Sequence, residues 1–219
     1  MKGKLIVVDG ADGVGKQTQV KMLSARLKKE GHRVKSLHFP QYQKTLAGKL
    51  VDECLAGKRG NFIKLDPRLA SLVYATDRFE SKKMLQKWLD EGAIVILDRY
   101  VSANQIHQGG KIHSVTERKK FLLWLDKLEY GVFGLPRPDA IISLHLPVSI
   151  SLKLLAKKTG RDQAEKNIQH QKDSEASTKW LAQTQKGWHT VVCYDKKGML
   201  SRETIHEQVY TIVRRVAKL

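Results

Sequence analysis

Five short apolar runs separated by long amphipathic stretches predict a doubly wound α/β domain, a five-stranded parallel sheet flanked by helices. Three observations carry that prediction. The runs are rich in β-branched residues and apolar nearly throughout, as strands buried on both faces are. The stretches between them are long enough for crossover helices. The 219 residues, 41% hydrophobic and 28% charged, suffice for a single domain over residues 1–219 with a sizeable core.

The first run is residues 4–8 (KLIVV), followed by a glycine-rich turn and a helical pattern near 15–30. The second, residues 33–38 (RVKSLH), leads into patterns near 45–57 and 67–91. Pro67 suits a helix's first turn, where its missing N–H would have had no partner. The third, residues 93–98 (AIVILD), precedes a pattern near 115–130, and the fourth, residues 139–146 (DAIISLHL), precedes patterns near 148–158 and 165–186. Gly160 and a dense charge run mark the junction of the last two, so residues 157–166 read as a mobile surface loop. The fifth run, residues 188–194 (WHTVVCY), is followed by a helical pattern near 202–217.

Composition narrows the function. The net charge of +18 suits anionic partners, but it is spread evenly along the chain with no basic arm. A solvated basic surface accounts for most of it. No recognition-helix, zinc-finger or aromatic-and-basic RNA-binding signature is present, so nucleotide phosphates rather than nucleic acids are the expected anions. No apolar run approaches the roughly 18 residues of a membrane span, and Leu5 to Val8 is too short for a secretory signal core. Cys54 and Cys193 lack CxxC spacing, which excludes a disulfide scaffold or zinc site and fits a reducing cytoplasm. The histidines form no i, i+4 ligand pair, and Trp88, Trp124 and Trp180 fall in helical patterns as core or interface residues.

Directly after the first strand comes GADGVGKQT, residues 10–18, a G-x-x-x-x-G-K phosphate-binding loop in its strand, loop, helix setting. Its presence makes the sheet a P-loop NTPase-type fold. Gly10, Gly13 and Gly15 let successive N–H groups converge on an anion, the following helix adds its positive end, and Lys16 reaches the outer phosphates. Gln17 stands where a Ser or Thr hydroxyl normally ligates magnesium, with Thr18 after it. The third strand ends in Asp98 and Arg99, at the carboxyl edge of the sheet where ligands of such folds bind. An acid there suits magnesium and an arginine suits phosphates.

With both motifs the sequence resembles the thymidylate kinase family of nucleoside monophosphate kinases, over nearly the whole chain. HFP (His38, Phe39, Pro40), LVYATDRFE (residues 72–80), LDRYVSANQIHQGG (residues 97–110) and GLPRPDAIISL are similar to family blocks in order and spacing. The resemblance implies ATP-dependent phosphorylation of dTMP to dTDP, in dTTP synthesis, by a cytoplasmic homodimer using ATP and magnesium. It implies that Gly10, Ala11, Asp12, Gly13, Val14, Gly15, Lys16, Gln17 and Thr18 cradle ATP. Asp12 would face the 3′-hydroxyl of the acceptor, beside Phe39 and Pro40. Tyr74 would stack on thymine and Arg78 would reach its O4, while Asn104 and Gln108 meet the N3 edge. Arg99 would draw the donor and acceptor phosphates together. The phosphate loop has no catalytic arginine, so the role falls to a lid over residues 157–166, which offers Lys157, Lys158 and Arg161, with Arg161 the candidate.

Departures from the family pattern set further expectations. Gln41 and Tyr42 follow Phe-Pro where an arginine often holds the acceptor phosphate, leaving Lys44 the nearest cation. His107 replaces a Tyr or Phe that packs near C2′ of the sugar, and its smaller imidazole could admit or bind a 2′-hydroxyl. Magnesium would then rest on Asp98, water and Gln17. Two other functions stay open at this point: a kinase for another monophosphate such as dUMP, and a nucleotide-binding protein without turnover.

Overall fold

A computed structural model describes residues 2–156 and 159–219, so Lys157 and Lys158 of the expected lid lie outside the described residues. The sheet contains β1 (Lys4–Gly10), β2 (Val34–His38), β3 (Ile94–Asp98), β4 (Ala140–His145) and β5 (Trp188–Val192), in the order β2-β3-β1-β4-β5. Every pairing is parallel. β1 lies centrally, with Val8 opposite Asp98 on one side and Ile142 on the other. The strand order reverses at β1, and that crevice at the carboxyl ends is where such sheets bind ligands.

Alternation along β1 divides the core between two faces. Leu5 and Val7 join Leu97, Ile106, Phe121 and Leu125 on one face. That face is covered by α4 (Lys82–Asp90), α5 (Val101–Gly110), α6 (Val115–Asp126) and α9 (Ile168–Thr184), with Trp88, Trp124 and Trp180 packed against it. Ile6 and Val8 join Leu23, Leu27, Val209 and Val213 on the other, beneath α1 (Lys16–Lys29) and α10 (Arg202–Ala217). A third cluster, with Val51, Cys54, Leu55, Phe62 and Ala70, lies between α2 (Leu46–Leu55) and α3 (Pro67–Glu80). Glu80 caps the start of α2, accepting from Leu46 and Ala47 N–H at 2.9 and 2.8 Å.

The structure corrects several sequence expectations. The pattern near 67–91 is two helices, because the chain turns at Ser81 between α3 and α4. The pattern near 115–130 gives α6 and then a π-helical turn over Lys127–Val132. α7 (Val148–Ala156) precedes the segment expected as a lid, whose end is not a bare loop. α8 (Gln163–Lys166) is a helical turn with a capping box of Asp162 and Glu165, and α9 follows it. The Gln163 amide ties this turn to residues 60–62, accepting from Phe62 N–H and donating to Gly60 O, both at 3.2 Å. β6 (Tyr194–Asp195) and β7 (Gly198–Met199) form an antiparallel hairpin too short to leave a periodic signal. The sequence pattern also misses α5.

Candidate active site

The phosphate loop leaves β1 through Gly10, whose φ of 138° and close approach to β4 exclude any side chain. A Cβ there would lie 2.3 Å from Leu144 O. Gly13 and Gly15 also take positive φ, and α1 starts at Lys16. The loop curls around the Lys16 ammonium, which donates to Gly10 O at 3.1 Å and Ala11 O at 2.8 Å and lies 3.8 Å from Asp12. Burial, then the neighbouring Arg99, hold its pKa below the usual lysine range. Gln17 is exposed and Thr18 half-buried at the start of α1.

Arg99 occupies the left-handed region at φ 65°, which turns the chain sharply out of β3. Its guanidinium donates to Asp12, faces His107 Nε2 at 2.7 Å and lies 3.9 Å from Asp9. Asp9, which the sequence pattern does not single out, is fully buried. It accepts from Gly10 N–H at 2.9 Å and Ser102 Oγ at 2.5 Å, and burial raises its pKa. Burial acts the same way on Asp12, but Arg99 and Lys16 outweigh it and hold that carboxyl well below its usual range. Asp98 is half-buried, and no side-chain hydrogen bond reaches its carboxylate among the described residues.

One pocket opens beside this cluster. Asp12, Phe39, Pro40, Tyr74, Arg78, Arg99, Asn104, His107 and Gln108 all line it, so the nine side chains expected to meet the acceptor converge from four parts of the chain. Tyr74 is held against Phe62 with ring centroids 5.7 Å apart. α5 carries Asn104, His107 and Gln108, and it lies close against α9 through Gly110, where a Cβ would stand 2.9 Å from Asp173 O. Gln108 Oε1 is buried without a hydrogen-bond partner among the described residues. Arg161 is half-buried outside the pocket lining, and Lys44 is exposed and also outside it.

Two expected roles meet unforeseen partners. Arg78 is 2% exposed and forms a bidentate pair with the fully buried Glu129, at 2.6 and 2.7 Å. Burial opposes its charge, and Glu129 outweighs burial, so its pKa is raised. His107 has both nitrogens engaged, Nε2 by Arg99 and Nδ1 by Ser174 Oγ at 2.9 Å. Both ring nitrogens thus already have partners in the protein. Burial, then Arg99, holds the His107 pKa well below the usual histidine value.

α9 supplies residues that sequence reasoning passed over. His170 stacks on His107 with centroids 5.3 Å apart, lines the pocket, and has no side-chain hydrogen bond among the described residues. Gln171 donates to Asp12 at 3.2 Å and to Ala164 O at 3.0 Å, and its Oε1 is buried without a partner among the described residues. Tyr42 also lines the pocket, its phenol pushed up to about 12 by burial. Only Tyr42 had a usable signal, its place just after Phe-Pro.

This geometry places a phosphate loop, an arginine and an apolar pocket with polar walls side by side, an arrangement suited to transfer between two bound nucleotides. Known proteins agree with it. The chain is 29% identical over 171 residues to thymidylate kinase of Mycobacterium tuberculosis (strain ATCC 25618 / H37Rv), covering 78% of this chain and 79% of that one. It is 28% identical over 218 residues to a probable thymidylate kinase of Pyrococcus abyssi, covering 98% and 97%. A solved thymidylate kinase structure from Candida albicans superposes with a TM-score of 0.74 at 25% identity, over 98% of this chain and 92% of that one. The thymidylate kinase profile itself matches residues 8–205, so the chain belongs to the thymidylate kinase family, nucleoside monophosphate kinases that phosphorylate dTMP.

Proposed function

We propose that this dTMP kinase takes its phosphoryl group from ATP held on residues 10–18 and delivers it to dTMP in the adjoining pocket. The observation that carries this reading is the position of Arg99. Its guanidinium reaches Asp12 of the phosphate loop on one side and His107 of the pocket wall on the other. An arginine at that boundary can bridge the phosphates of both nucleotides and stabilise the charge that develops in transfer. Lys16, with two N–H groups already on loop carbonyls, keeps one to donate to a donor phosphate. Tyr42 and Arg99 take the place of the arginine missing after Phe-Pro at the acceptor phosphate. Arg161, half-buried and without an ion-pair partner among the described residues, is the candidate lid cation.

The donor set fits a nucleotide-borne magnesium ion, a hard cation that keeps several waters and needs one or two protein carboxylates. Asp98 would hold it, directly or through water, and the exposed Gln17 amide is the other donor the sequence offers. Bound there, magnesium would neutralise phosphate charge during transfer.

A homodimer is part of the same proposal, resting on apolar side chains of α2 and α3 that face solvent: Leu46, Leu50, Leu69, Leu72 and Phe79. A cytoplasmic setting fits two free cysteines and the absence, among the described residues, of a helix long and apolar enough to cross a membrane. The test is a coupled assay with ATP, magnesium and a panel of nucleoside monophosphates including dUMP. dTMP should give the highest kcat/KM, and the rate should vanish without magnesium.

A further inference from the structure

We infer that Glu129 is the positioning residue that sets which base edge the acceptor pocket accepts. The inference rests on reading Arg78 and Asn104 as the base-facing side chains. Glu129 comes from the π-helical turn after α6, is fully buried, and lies behind the pocket wall rather than in it. Its Oε2 accepts from Arg78 Nε at 2.6 Å and its Oε1 from Arg78 Nη2 at 2.7 Å. Oε1 takes a further bond from Asn104 Nδ2 at 3.0 Å, and the same Nδ2 donates to Ser71 O at 3.2 Å.

These four bonds decide the polarity of the wall. Both amide hydrogens of Asn104 are used. Turning the amide over would set its oxygen against a carboxylate and a carbonyl, three acceptors with no proton between them. Oδ1, an acceptor, is therefore the Asn104 atom left for a ligand. Arg78 spends one more N–H on Tyr100 O at 3.3 Å, so two of its five remain, both donors. The wall thus offers a donor beside an acceptor. That pair complements a pyrimidine edge with a carbonyl at O4 and a proton on N3, as in thymine or uracil. It opposes cytosine, whose N4 amino group donates and whose N3 accepts. An asparagine free to rotate would pair with N3 of either base, whereas one locked by Glu129 adds a second mismatch, at N3, to the one Arg78 already makes with the cytosine amino group.

The test is steady-state kinetics on the whole chain with dTMP and dCMP as acceptors, for the natural protein, Glu129→Gln and Arg78→Ala. In Glu129→Gln an amide nitrogen at the Oε1 place faces both Arg78 Nη2 and Asn104, so the pair with Arg78 falls to the Nε bond alone and Asn104 is freed to flip. In Glu129→Gln the KM for dTMP should rise about tenfold with the KM for ATP within about twofold, and the dTMP-over-dCMP ratio of kcat/KM should fall about tenfold. That ratio compares two substrates on one preparation, so it does not depend on the folded fraction. If Glu129→Gln is insoluble, Glu129→Asp keeps the charge for Arg78, falls one methylene short of Asn104, and carries the same expected fall. An unchanged ratio, or equal rises in KM for dTMP and ATP, overturns the role of Glu129 where Arg78→Ala still weakens dTMP. Undiminished dTMP affinity in Arg78→Ala overturns the base reading itself, and the role of Glu129 with it.

Discussion

Arg99 Nη1 and His107 Nε2 stand 2.7 Å apart, and because a guanidinium only donates, the imidazole accepts there and carries its proton on Nδ1, toward Ser174. His107 is thus a neutral strut between Ser174 of α9 and Arg99. The unengaged imidazole at this wall is His170, which stacks on His107 and lines the same pocket.

Discrimination between deoxyribose and ribose should follow from that division. His107→Tyr should raise the ratio of kcat/KM for dTMP over ribothymidine monophosphate, since a bulkier ring closes the space near C2′, while kcat falls as Arg99 loses its acceptor. His170→Phe should raise the same ratio by about three- to tenfold, the worth of one hydrogen bond to a hydroxyl, with kcat for dTMP little changed. Ratios unmoved in both variants would place the sugar's 2′ edge elsewhere.

Acid should destabilise the protein partly through His170. Burial lowers its pKa from 6.5 to about 4, so the unfolded chain takes up the proton first. Its contribution is complete above 6.5 and is lost as pH falls from there through about 4, a loss of about 2.5 kcal/mol by roughly pH 4.5. Asp9, its pKa raised by burial, acts in the opposite sense because the folded state holds that proton more tightly. His170→Phe removes only the first effect. The Tm of the variant minus that of the natural protein should therefore grow as pH falls from 7 to 4.5 in thermal melts, and a constant difference would contradict the assignment.

The five sheet strands were legible because parallel strands buried on both faces are short apolar runs whatever surrounds them. The phosphate loop was legible because its glycines and lysine are contiguous. α5 was not, since VSANQIHQGG is packed on nearly every side and shows no polar stripe. Asn104, His107 and Gln108 on it were reached only through family resemblance. Glu129 and His170 left no signal at all, for Glu129 meets Arg78 across 51 residues of chain and His170 reads as one more polar helix position.

Lys16→Ala should cut kcat by about two to three orders of magnitude, the usual loss of roughly 2.7 to 4 kcal/mol when one charge-stabilising donor is removed from a transition state. The fold should survive, since burial already disfavours the charge and the side chain serves the loop rather than the core. Single-turnover kinetics beside a thermal melt would show it. Unchanged turnover in the folded variant would remove the phosphate loop from the chemistry.

The exposed apolar stripe yields the last expectation. Leu69, Leu72 and Phe79 recur at helical spacing on the outer side of α3, Leu46 and Leu50 lie exposed on the adjoining α2, and Phe79 meets Phe133 at 5.0 Å. Exposed apolar side chains grouped on two packed helices are commonly covered by a partner, and a second copy of the chain presents the same residues to itself across a two-fold axis. Light scattering should therefore give about twice the 24.9 kDa of one chain. Leu50→Glu with Leu72→Glu places like charges on both sides of such an interface, at positions open enough in the monomer to cost it only about 0.5 kcal/mol. The double variant should run as a monomer with its secondary structure intact. A natural protein that stays at the mass of one chain across micromolar concentrations would exclude the dimer and leave the stripe without an occupant.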